Sequence, residues 1–122
     1  MSKLRSYQDL EVWKQSIELA EQVYRVSTSF PQTERYGMTS QIRRAAASVP
    51  ANIAEGAERN GTAEFLQFLG IASGSLAETE TFLILAQRLR MLTEQQVKPL
   101  MAAAGSVGRM INGLKRSLRS KA

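Results

Sequence analysis

The 122-residue sequence contains neither cysteine nor histidine. Without cysteine there are no disulfides, no thiolate metal sites and no cysteine nucleophiles, and nothing points to an oxidising compartment. Without histidine, the Glu-x-x-His ligand pairs of di-iron bundles, histidine zinc sites and histidine-based triads are excluded. No phosphate-binding glycine loop or dinucleotide fingerprint occurs, and the carboxylates Glu55/Glu58 and Glu78/Glu80 belong to no catalytic pattern. The start, Met1-Ser2-Lys3-Leu4-Arg5, leads into no apolar stretch of the signal-peptide kind, and no apolar run approaches the ~20 residues of a membrane span. These absences predict a cytoplasmic protein that is not an enzyme and has no cofactor, no metal, no small-molecule substrate and no membrane partner.

Proline and glycine are scarce as well, at three and eight residues, and between them nearly everything repeats at helical spacing. With 43% hydrophobic and 22% charged residues, the chain has the composition and length of one globular domain. A first helix is predicted over about 9–29, capped by Asp9 and ended at Phe30-Pro31. Its core stripe is read as Leu10, Trp13, Ile17, Ala20, Tyr24 and Ser27, broadened by Val12, Leu19, Val23 and Val26. Lys14/Glu18 and Glu21/Arg25 fall at i,i+4 on its outer side. A second helix follows Gly37 over about 39–59, with Ile42, Ala45, Ala46, Val49, Ile53 and Ala57 inward and Pro50 in its middle. Asn60-Gly61 ends it, and Thr62 is expected to cap a third helix over about 62–90. There Phe65, Leu69, Ala72, Leu76, Thr79, Leu83, Ala86 and Leu89 alternate in fours and threes. Thr93 and Gln96 match a capping box for a fourth helix over about 94–119, whose regular part Pro99 is expected to delay. Its inner face is Val97, Leu100, Ala104, Val107, Ile111, Leu114 and Leu118. Short connectors make neighbours antiparallel, so the expectation is one all-α domain over 1–122, an up-and-down four-helix bundle with loosely held ends at about 1–6 and 120–122.

Three surface features stand beside this core. Gln41, Arg44, Ser48, Asn52, Glu55 and Arg59 form a polar stripe on the second helix, read either as a solvated face or as a polar interface between helices or subunits. Gly70, Gly74, Ala77 and Thr81 form a small-residue stripe on the third helix, expected to be covered by a helix of the same chain or of another subunit. The fourth helix carries Arg109, Lys115, Arg116 and Arg119 with no acid after Glu94, and the whole chain has a net charge of +5. Cations near a helix C-terminus complement its dipole, and the same cations suit phosphate contact. Arg43/Arg44 and Arg88/Arg90 are candidates to extend that basic surface.

Three segments together resemble a known family: Asp9-Leu-Glu-Val-Trp13 with Tyr24; Tyr36-Gly-Met-Thr-Ser-Gln-Ile-Arg-Arg-Ala-Ala-Ala-Ser-Val-Pro-Ala-Asn-Ile-Ala-Glu-Gly56; and Glu64-Phe65 with Ile71-Ala-Ser-Gly-Ser-Leu-Ala-Glu78. They are similar to the bacterial four-helix bundle proteins, also called 23S ribosomal RNA intervening-sequence proteins. The resemblance spans about residues 7–90; the fourth helix matches in character alone, and Arg90 stands where the family commonly has glycine. It implies a bundle that assembles into a ring, most often a homopentamer, with Arg44, Ser48, Asn52, Glu55 and Ser75 in structural or interface roles. Members of the family are encoded within insertions of ribosomal RNA genes, and distant relatives bind nucleic acid while assisting reverse transcriptases.

Two functions follow. The first is a homo-oligomeric accessory protein for structured RNA or other nucleic acid, motivated by the charge, the basic fourth helix and the resemblance. The second is an oligomeric scaffold or adaptor for a protein partner, with the charge serving solubility.

Overall fold

The computed structural model describes residues 6–121. Four helices account for most of them: α1 (Glu11–Ser27), α2 (Met38–Ala57), α3 (Thr62–Arg88) and α4 (Glu94–Lys121). Short 3-10 turns at Tyr7–Asp9 and Gln32–Glu34 precede α1 and α2, and no strand occurs among the described residues. Consecutive helices pack side by side and α1 returns against α4, which closes an antiparallel four-helix bundle. α3 is long and apolar enough to cross a membrane by length and composition, but here it is packed between α2 and α4.

The helix ends differ in detail from the sequence reading. Asp9 is no cap for α1: it sits in the 3-10 turn that the Ser6 hydroxyl closes by accepting from the Gln8 N–H at 3.1 Å, and the chain enters α1 through extended Leu10. Thr62 is the first helical residue behind extended Gly61 and makes no side-chain cap. α2 has an unforeseen cap, the Glu34 carboxylate, which accepts from the Met38 N–H at 3.0 Å at the positive end of the helix dipole. At α4 the capping box forms, with Thr93 N–H to Gln96 Oε1 at 2.9 Å and Gln96 N–H to Thr93 Oγ at 3.2 Å. Pro99 therefore delays nothing; α4 is regular from Glu94 and runs to Lys121, past the expected end. Of the end residues expected to be loose, Ser6 lies in the bend before the first 3-10 turn and Ser120 and Lys121 are helical; the others lie outside the described ones. α3 stops in a Schellman motif: Met91 N–H reaches Ala86 O at 2.9 Å and Arg90 N–H reaches Gln87 O at 3.0 Å. Arg90 takes the left-handed position at φ 64°, where glycine is usual.

The core is the inner seam of all four helices, with Ile42, Val49, Ile53, Leu69, Leu83 and Ile111 fully enclosed. Six of the eight positions read along α3 are buried; Phe65 is half-buried and Leu89 is exposed. On α1 the broad face expected from the sequence is inward, with Val12, Leu19, Ala20, Val23 and Ser27 buried, but its centre lies one position away from the expected stripe. The inner line is Val12, Ser16, Leu19, Val23 and Ser27, whereas Ile17 and Tyr24 are 39% and 44% exposed and Trp13 is half-buried. One residue is a turn of about 100°. Serine made this register hard to see, yet it suits the interior: the Ser16 and Ser27 hydroxyls donate to Trp13 O at 2.8 Å and Tyr24 O at 3.0 Å one turn back. No buried side-chain polar atom among the described residues lacks a partner.

The most extensive helix pair is α2–α3. Gly56 permits the approach, since a Cβ there would stand 2.8 Å from Phe68 Cβ and 2.9 Å from Phe65 Cδ1. Between α1 and α2, Arg43 donates to Ser27 Oγ at 2.8 Å and Tyr24 O at 3.1 Å and lies over the Tyr24 ring, which places a cation on the C-terminal carbonyls of α1.

Candidate functional site

The polar stripe of α2 divides. Ser48 and Asn52 turn partly inward: Ser48 Oγ and Ser75 Oγ of α3 share a hydrogen bond of 2.8 Å, and Asn52 Nδ2 donates to Ser48 O at 2.8 Å and Oγ at 2.9 Å. This is a polar link between helices of one chain. Gln41, Arg44, Glu55 and Arg59 are exposed. Arg59 pairs with Glu55 at 2.8 Å and covers the Phe68 ring of α3, so the lower end of the stripe ties α2 to α3 at the surface. An i,i+4 pair this exposed contributes a few tenths of a kcal/mol. On α1, Glu21 and Arg25 pair as expected, while no ion pair joins Lys14 to Glu18 among the described residues.

Apart from exposed Lys98 near its start, the basic residues of α4 are laid along its C-terminal half. Arg109, Arg116 and Arg119 are exposed, and half-buried Lys115 donates to Ser73 Oγ of α3 at 3.2 Å. Leu114 and Leu118 pack against the core from the same turns, so the arginines ride on a helix end that the bundle anchors. At 1.5 Å per residue, about 33 Å of α4 separates Glu94 from Arg116. Arg88 and Arg90 close α3 at the Glu94 end, and Arg43 lies there too, five residues into α2. They do not extend the α4 patch; the basic groups sit at opposite ends of the bundle.

The small-residue stripe of α3 is not covered. Gly70, Gly74, Ala77 and Thr81 are exposed, and a Cβ built at either glycine meets nothing within 4 Å. Packing within the chain, one of the two readings of that stripe, is thereby overturned. Ile71, Ile84 and Leu85 are 45%, 46% and 40% exposed on the same helix, and of its most apolar 18-residue stretch only 28% is buried. α3 therefore leaves apolar side chains uncovered by its own chain on the face away from its buried seam. No group of histidine, cysteine or carboxylate side chains among the described residues is arranged to hold a metal.

The sequence profile of the 23S rRNA-intervening sequence proteins matches residues 8–113, from the turn before α1 to well into α4. The chain belongs to this family. The match of this family member reaches beyond the third helix, where the sequence motifs end, into the glycine-rich part of α4. A crystal structure of a protein of unknown function from the S23 ribosomal protein family, from Bacteroides thetaiotaomicron, is similar over 85% of this chain and 97% of that one, with a TM-score of 0.77 and 25% identity. No curated protein matches the sequence.

Proposed function

We propose that this chain is a non-enzymatic subunit of a cytoplasmic homo-oligomer, a pentamer as the family resemblance implies, that binds structured RNA as an accessory factor. The observation that carries the RNA half is α4, a 28-residue helix whose exposed arginines, Arg109, Arg116 and Arg119, face no acid anywhere after Glu94. Such cations contact phosphates without reading sequence. The uncovered apolar flank of α3 supports the oligomer, and several copies of a modest patch raise avidity by multivalency. The family name, which refers to ribosomal RNA, leads to the same class of ligand.

Light scattering on the purified protein, with and without a structured RNA, tests both halves. The expected result is a stoichiometric oligomer that retains RNA, with affinity falling steeply as salt rises. The Arg116→Glu/Arg119→Glu variant should weaken binding and lower the log–log salt slope by about two per subunit engaged. Absent or salt-independent binding at low ionic strength defeats the RNA reading. An oligomer without RNA affinity that brings down a specific protein is the outcome of the scaffold reading.

A further inference from the structure

A second apolar surface lies across the molecule from the flank of α3. Between α1 and α2 runs an open groove of about 320 Å³, with Trp13 and Ile17 as one wall and Ala20, Pro50, Ala51 and Ala54 along its floor. No charged residue lines it. Its α1 wall is Trp13 and Ile17, one residue round the helix from the inner line, with Tyr7 set edge-on against the Trp13 ring. α1 thus has a second line of apolar side chains that its own chain covers in part and leaves open at Ile17.

We propose that the exposed flank of α3 in one copy of this chain seats in the α1–α2 groove of the next, head to tail. This rests on the oligomer reading above and names the surfaces that make it. The two faces are complementary in size. Ile71, Ile84 and Leu85 project from α3, whereas alanines and a proline ring form the groove floor; conversely, Gly70 and Gly74 leave α3 flush where Trp13 and Ile17 project. They are alike in chemistry as well. Glu78 is the one exposed charge on α3 between Gly70 and Leu85, with Glu80 half-buried, so joining the faces strips few ions of water. The stretch from Gly70 to Leu85, about 22 Å long and about 10 Å wide, presents a strip of about 220 Å², below the roughly 800 Å² that each partner gives to a standard interface, so a chain gains most by making two such contacts, one through each face. Head-to-tail stacking lets every chain bury both faces. A two-fold pairing of α3 on α3 would leave the groove bare, and pairing of grooves would leave α3 bare. Repeated unlike contacts close into a ring or continue as a filament.

The absence of cysteine makes the test clean. Ala51→Cys marks the groove and Ala77→Cys marks the flank, both at exposed positions. With a short bismaleimide, the double variant should yield a covalent ladder of two and more chains, while each single variant stays at one chain length. Mixing the two single variants should give dimers and no longer species. Ala77→Cys alone linking to itself overturns the proposal, and so does an oligomer by light scattering whose double variant forms no ladder. A protein that is monomeric by light scattering overturns the oligomer reading itself, so the two failures are told apart.

Discussion

Replacing Gly56 with alanine sets two opposed effects against each other within α2. Alanine favours a helix interior by about 1 kcal/mol over glycine, so on propensity alone the variant gains stability. The new Cβ, however, would stand 2.8 Å from Phe68 Cβ, 2.9 Å from Phe65 Cδ1 and 3.3 Å from Phe65 O. A Phe Cβ and a backbone carbonyl cannot swing aside as a side-chain tip does, so relief requires α2 and α3 to separate by several tenths of an ångström. Forcing a methyl into a close-packed contact costs about 1–3 kcal/mol, and this contact is the most extensive in the bundle. The clash should win, for a net loss of up to about 2 kcal/mol and a fall in Tm of roughly 3–6 °C per kcal/mol at this chain length. Gly74→Ala is the control, because its Cβ meets nothing within 4 Å. Urea unfolding of both variants, at a concentration where light scattering reports a single species, decides the matter. A Gly56→Ala variant as stable as the parent would refute the claim that this glycine exists for close helix approach.

Other outcomes follow from single contacts. Gly74→Ala should raise helix stability by about 1 kcal/mol in dissociated chains yet lower the association constant seen in a dilution series by light scattering, since the added methyl stands on the flank proposed to seat. Arg90→Gly should raise the urea midpoint by the equivalent of about 0.5–1 kcal/mol, because a side chain at φ 64° is disfavoured where glycine is not. Thr93→Ala removes the hydroxyl that accepts from the Gln96 N–H at 3.2 Å and should cost about 1 kcal/mol, read as a lower Tm. Ser48→Ala leaves Ser75 and Asn52 short of a partner and should cost about 1–2 kcal/mol. Adding Ser75→Ala should cost less than its single effect, and strict additivity in that double-mutant cycle would show the pair uncoupled.

The bundle was legible because α2, α3 and α4 each have one apolar seam broad enough to leave no choice of face: Ile42, Val49 and Ile53, then Leu69, Leu76 and Leu83, then Val97, Val107 and Ile111 are all buried as read. Capping was legible only where both partners were local in sequence, as in Thr93 and Gln96. The Glu34 cap of α2 depends on an intervening 3-10 turn, and the αL stop at Arg90 depends on carbonyls four and three residues back; neither leaves a strong mark on residue type.

On α1, by contrast, two interleaved series compete. Leu10, Trp13, Ile17 and Tyr24 carry the larger side chains, and an argument from size alone assigns them to the interior, where Ala20 of the same series does lie. The interior instead takes Val12, Ser16, Leu19 and Val23, because a bundle core four helices wide has limited room at each level and a serine bonded to its own helix is small and free of any polar debt. Periodicity reports that a line of residues is sheltered, not which molecule shelters it. The same confusion explains the glycines of α3: their spacing called for a covering helix, and no helix of this chain comes near them. The half-sheltered line of α1 and the bare flank of α3 are thus two signs of a single cause. Both lines meet the demands of a packed surface, and both keep apolar side chains that their own chain leaves exposed. If that account holds, Ile17→Glu and Ile71→Glu should each leave the helix content of the chain unchanged by circular dichroism while lowering its mass in solution. Loss of fold in either variant would mean that the line in question belongs to the monomer core after all.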